Sequence, residues 1–89
     1  MMHNLRRIDL NLLLTLEALL AEQHVSRAAL RLHRSQPAVS HALAQLRVIF
    51  ADPLLVREGG KMVLTPKASA LIRPLREALS QLEIGRAHV

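Results

Sequence analysis

Residues 35–50 constrain the fold more than any other stretch. Val39, Ala42, Leu43, Leu46, Ile49 and Phe50 recur at steps of three and four, the spacing that lines one face of an α-helix. Gln36, Ser40, His41, Ala44 and Arg47 occupy the opposite face, which is polar with mostly small side chains. Such a face suits close contact with something polar. Ser35 is placed to cap this helix, and Pro37 falls in its first turn, where a missing N–H leaves no bond unmade. A shorter helix over 26–32 precedes it, with Ser26 as its expected cap and Ala28, Ala29 and Leu32 as a small apolar face. The break at His33-Arg34 separates the two.

The flanking segments supply the rest of a small core. A first helix over 9–23, capped by Asp9, turns Leu12, Leu13, Leu16, Leu19 and Leu20 inward, with Asn11, Thr15, Ala18 and Glu22 as its polar stripe. Leu10 and Leu14 lie on a further face, more apolar surface than one small core needs, so a partner is expected there. Asp52-Pro53 ends the helix that begins at 35. Two short strands, 54–57 and 62–65, then flank Glu58-Gly59-Gly60-Lys61, a hairpin signal. Thr65-Pro66 opens a last helix whose seam is Ala68, Leu71, Ile72, Leu75, Ala78, Leu79 and Leu82. Pro74 should kink it, and Gly85 is the expected stop. The seam is expected to pack on a second copy, with Leu10, Leu14, Leu71, Leu75, Leu79 and Leu82 at a dimer interface. The alternative is packing on its own domain.

Composition narrows the function classes. The chain has 89 residues, one domain at most, and 51% of them are hydrophobic, yet Phe50 is the only aromatic. Without cysteine there is no disulfide, thiolate zinc site or cysteine nucleophile. His3, His24, His33 and His88 have no metal-ligand spacing, so neither metal nor cofactor is expected. The longest apolar stretch, 12–20, contains Thr15 and Glu17 and is far short of the ~20 residues a membrane span needs. The absence of a signal-like segment leads to the expectation of a cytoplasmic protein. No paired carboxylates, phosphate-cradling loop or activated nucleophile suggests an enzyme. The net charge is +5, and residues 24–67 carry all of it: Arg27, Arg31, Arg34, Arg47, Arg57, Lys61 and Lys67 against Asp52 and Glu58. A local excess of this kind is the footprint of a polyanion binder.

Two capped helices around a tight break match the helix-turn-helix plan, in which the second helix enters the DNA major groove. Gln36 suits a bidentate pair with adenine, Ser40 suits any base edge, and Pro37 offers apolar contact to a thymine methyl. Ser35 at a helix N-terminus can meet a phosphate. The hairpin, with Arg57 and Lys61, would be a wing on the backbone or the minor groove. A winged module binding an acidic protein is the competing reading, but it would not require Gln36, Pro37 and Ser40 together.

Residues 26–29 (Ser-Arg-Ala-Ala), Leu32, 35–40 (Ser-Gln-Pro-Ala-Val-Ser), Leu43 and Leu46 resemble the LysR-type regulator signature. Residues 52–57 (Asp-Pro-Leu-Leu-Val-Arg) and 64–66 (Leu-Thr-Pro) continue it. The opening 8–13 (Ile-Asp-Leu-Asn-Leu-Leu) is similar to the branch containing the NodD and NahR regulators. The resemblance implies a mainly α fold: a winged helix-turn-helix of three helices and a hairpin over 1–65, a dimerisation linker helix over 66–84, and a tail over 85–89. It implies base contacts at Gln36, Pro37, Ser40 and His41. Backbone contacts are implied at Ser26, Ser35, Arg57 and Lys61, and the charges of Arg27, Arg34 and Arg47 make these three further candidates for backbone contact. It also implies a homodimer regulating bacterial transcription on double-stranded DNA, and a C-terminal inducer-binding domain outside these residues. Arg34 stands where the family more often has Val or Leu, and His41 where Arg or Lys is frequent.

Overall fold

A computed structural model describes residues 8–87, with side-chain surroundings described as far as residue 81. Its elements are α1 (Leu10–Glu22), α2 (Val25–Leu32), α3 (Gln36–Phe50), β1 (Leu55–Glu58), β2 (Lys61–Leu64) and α4 (Pro66–Ala87). Three helices with a hairpin behind them make a winged helix-turn-helix, and α4 continues from the wing. Among the described residues no helix is long and apolar enough to cross a membrane.

Asp9 caps α1 as expected, its carboxylate accepting the Asn11 N–H at 2.7 Å. Leu13, Leu16, Leu19 and Leu20 are buried and Leu12 partly so. The polar stripe is a correction: Thr15 and Ala18 are buried, at 1% and 0% exposure. The reason is that α1 packs on α2, α3 and α4 at once, so more than one of its faces is covered. Leu10 and Leu14 stay outward at 47% and 38% exposure.

The cap of α2 is a second correction. The helix begins at Val25, so Ser26 lies inside the first turn, and His24 takes the capping role. Its Nδ1 accepts the Arg27 N–H at 3.2 Å, an imidazole lone pair standing where a hydroxyl or carboxylate oxygen usually does. Ser35 does cap α3, accepting the Ala38 N–H at 3.2 Å. Of the apolar face of α3, Val39, Ala42, Leu43, Leu46 and Phe50 are buried. Ile49 is not: four residues on from exposed Gln45, it sits at the edge of that face and stays 40% exposed. Helices α1, α2 and α3 each end in a left-handed residue, Gln23, His33 and Ala51, whose N–H turns back into the last turn.

The hairpin is tighter than expected. Glu58 pairs with Lys61, leaving a two-residue turn of Gly59 and Gly60 at φ +60° and +82°. Positive φ at both positions is the backbone a right-twisted hairpin requires. Leu54, expected in the first strand, has φ +66° and no exposure. That left-handed backbone excludes it from a strand, and burial of the side chain offsets the strain.

Thr65 opens α4, its hydroxyl accepting the Ala68 N–H at 3.1 Å ahead of Pro66. The helix runs through Pro74 and, contrary to the expected stop, past Gly85 to Ala87. Glycine weakens a helix but does not forbid one. The seam divides between this chain's own core and what a partner could cover. Leu71 and Leu75 are 7% and 1% exposed because they complete this chain's own core, together with Ala68 and, at its border, Leu79. The start of α4 thus belongs to the domain itself. The side chain of Leu82 lies outside the described residues.

Candidate nucleic-acid interface

An open groove of about 530 Å³ lies between the start of α2, the start of α3 and the wing. Ser26 and Arg27 line it from α2, Gln36 and Ser40 from α3, and Arg57 and Lys61 from the hairpin. Residues from three separate elements thus converge, with two hydrogen-bonding groups suited to base edges set among three cations. The register explains the wing's share: Glu58 and Lys61 close the turn, and Arg57 pairs with Met62 one step below.

Gln36 and Ser40, four apart on α3, share the face turned to the groove, and both are exposed. Pro37 and Ser35 are exposed at the same helix end. The Ser35 oxygen is engaged by the Ala38 N–H, which leaves its hydroxyl hydrogen as a donor. His24 lines the groove too, as do Glu22 and Gln23. The sequence reading places Ser26 as the cap and so passes over His24, while Glu22 and Gln23 reach the groove only through the packing of α1 on α2. The position of His24 just before the Val25 helix start was the available signal.

Arg34 and His41 are not in that groove. They line a smaller pocket of about 220 Å³ on the other flank of α3, with Asp9, Asn11 and Gln45. Arg47 is turned away from both. Its Nε donates to the Pro53 carbonyl at 2.8 Å and an Nη to the Leu55 carbonyl at 3.0 Å. It ties α3 to the strand entering the wing, a clamp within the chain. Arg31 is likewise held, by Glu17 at 3.3 Å and Glu22 at 3.4 Å. Arg27, Arg34, Arg57 and Lys61 are exposed beside α3 and none of them makes an ion pair among the described residues.

Below the wing, Asp52 accepts the Leu54 N–H at 2.8 Å and the Thr65 hydroxyl at 2.6 Å. The Thr65 hydroxyl, the Leu54 N–H and the nearby Lys67 charge hold its carboxyl below the usual aspartate range, against a smaller opposing effect of burial. Among the described residues no group of three or more His, Asp or Glu side chains is placed to hold a metal ion.

Residues 10–69 match the model of the bacterial regulatory helix-turn-helix protein, lysR family. The chain belongs to the LysR family. Nodulation protein D 1 of Bradyrhizobium sp. (strain NC92) is 46% identical over 78 residues, which cover 88% of this chain and 25% of that protein. Nodulation protein D 1 of Rhizobium meliloti (strain 1021) is 43% identical over 80 residues, covering 90% of this chain and 26% of that one. This LysR-family chain thus spans about a quarter of the length of those relatives. Among solved structures, the probable transcriptional regulator PA0477 from Pseudomonas aeruginosa superposes with a TM-score of 0.82 at 43% identity, over 91% of this chain and 27% of that one. The chain in the BenM_DBD/catB site 1 DNA complex gives a TM-score of 0.82 at 23% identity, over 91% of each chain, a likeness of fold. The fold is therefore shared with solved structures at both levels of identity.

Proposed function

We propose that this chain is a sequence-specific double-stranded DNA-binding module that acts as a homodimer in regulating transcription. The observation that carries the reading is the groove in which Gln36 and Ser40 lie beside Arg27, Arg57 and Lys61. A B-DNA major groove about 12 Å wide admits one α-helix. With α3 in it, Gln36, Pro37, Ser40 and His41 are the base-reading candidates. Ser26, Arg27, Ser35, Arg57 and Lys61 then meet phosphates on the wing side, and Arg34 on the other. Sequence comes from base edges, and register and most of the affinity from phosphates.

Leu10 and Leu14, exposed on α1, and the later part of α4 from Leu79 onward remain as the dimer contact once Leu71 and Leu75 are assigned to the core. Two copies would present their recognition helices about one helical turn apart. Residues 1–65 together with the first turns of α4 form the binding unit, and the later part of α4 is the linker helix. Small-molecule control would act through a C-terminal domain outside these residues. The site of action is the cytoplasm, where the DNA lies.

Fluorescence anisotropy on a duplex with an inverted repeat and an A/T-rich centre, against a scrambled duplex, at two salt concentrations, tests the proposal. Preference for the repeat with affinity falling steeply in salt is expected. Absence of binding to either duplex at low salt would overturn it and favour an acidic protein partner.

A further inference from the structure

Thr15 is almost wholly buried in the middle of α1, at 1% exposure, yet its hydroxyl is part of a relay to the surface. It donates to the Asn11 carbonyl at 2.8 Å and accepts from an Nη of Arg34 at 3.2 Å. Because its hydrogen is committed to Asn11, the lone pairs are what Arg34 meets. The Arg34 backbone is fixed as well, its N–H donating to the Ala29 carbonyl at 3.0 Å. Both ends of the residue are thus anchored where α2 turns into α3.

The two neighbouring arginines are held in different ways. Arg31 is neutralised by Glu17 and Glu22. Arg34 is held by a neutral hydroxyl, so its charge is undiminished at the rim of the pocket shared with Asn11, His41 and Gln45. Asp9 lines the same pocket, its carboxylate engaged by the Asn11 N–H. An unanchored Arg34 could turn toward that carboxylate and pair with it instead. At roughly 100° per residue, Gln45 sits about half a turn around α3 from Gln36, so this pocket and the wing groove flank opposite sides of the helix.

We propose that Thr15 is a positioning residue for DNA binding: it holds Arg34 ready for a backbone phosphate on the flank of α3 away from the wing. The inference rests on the DNA-binding reading. It gives α3 a phosphate contact on each side, which sets the helix's tilt in the groove as well as its depth.

The test uses this chain and a labelled duplex of mixed sequence, long enough for two helical turns, titrated over a range of salt. Arg34→Gln, at an exposed position, should make the slope of log K against log salt shallower by about 0.9, the loss of one phosphate. Thr15→Val keeps the volume and removes the acceptor, and should weaken binding about threefold or more, the lower range for touching side chains. Thr15→Ser should restore it. In the Arg34→Gln background Thr15→Val should have no further effect. Equal weakening by Thr15→Val in both backgrounds would show a purely structural role and overturn the proposal, as would an unchanged slope in Arg34→Gln. If the unaltered chain binds no duplex at low salt, the DNA-binding reading itself falls and this one with it.

Discussion

The carboxylate of Asp52 accepts a 2.6 Å hydrogen bond from the hydroxyl of Thr65, joining the end of α3 to the start of α4 across the base of the wing. The same hydroxyl accepts the Ala68 N–H and so caps α4. One short relay fixes where the hairpin leaves the helical core and where it returns.

The relay makes stability depend on acid. The folded pKa of Asp52 is lowered, chiefly by Thr65, so its contribution is present above the unfolded value and is lost as pH falls through the folded one. Denaturant midpoints measured from about pH 6 down to about pH 2 should fall in the acid range, beginning near the ordinary aspartate value of about 4. Asp52→Asn should be less stable at neutral pH and show a flatter acid limb. An acid limb identical to that of the unaltered chain would show that Asp52 is not its source.

Arg47 should matter for the wing's attachment and only indirectly for DNA. Arg47→Met retains much of the stem and removes two donors to the Pro53 and Leu55 carbonyls. A loss of about 1–3 kcal/mol in urea unfolding is expected, as for hydrogen bonds to a charged group. Amide exchange should quicken in β1 before it does in α1. Unchanged stability would mean that water replaces the guanidinium without cost.

Arg57 and Lys61 are expected to act without regard to sequence. Changing either to Ala should weaken binding to all duplexes alike and make the salt slope shallower by about 0.9. Gln36→Ala should behave differently, costing on the order of 1–3 kcal/mol at a single base position and little elsewhere. An even loss across all sequences in Gln36→Ala would argue against direct readout.

Leu10→Asp and Leu14→Asp test the dimer. Both side chains are exposed in the single chain, so each change should alter monomer stability by no more than about 0.5 kcal/mol. Sedimentation velocity should show the dimer lost at concentrations where the unaltered chain associates. A dimer that survives both changes would place the interface on α4 alone.

The helices of the winged helix-turn-helix were legible because their signals are local. Ser35, Pro37 and the spacing from Val39 to Phe50 place α3, and Thr65-Pro66 places the start of α4. The paired glycines place the hairpin, although its turn proved two residues long instead of four. Gln36 and Ser40 could be named as candidates because four residues on a helix is one turn. Their meeting with Arg27, Arg57 and Lys61 in one groove involves neighbours brought together only by packing.

Element order was set by the sequence itself, through periodicity and capping that need no distant partner, and the family by the motif over 26–40. The tertiary structure decided which charges are available and which apolar residues are covered. Three helices around α1 bury Thr15 and Ala18, and the core takes in Leu71 and Leu75 that periodicity alone would equally leave to a second copy. Carboxylates and carbonyls on neighbouring elements engage Arg31 and Arg47, while a buried hydroxyl holds Arg34. Burial and pairing depend on what lies across a gap of a few ångströms, and only the fold sets that.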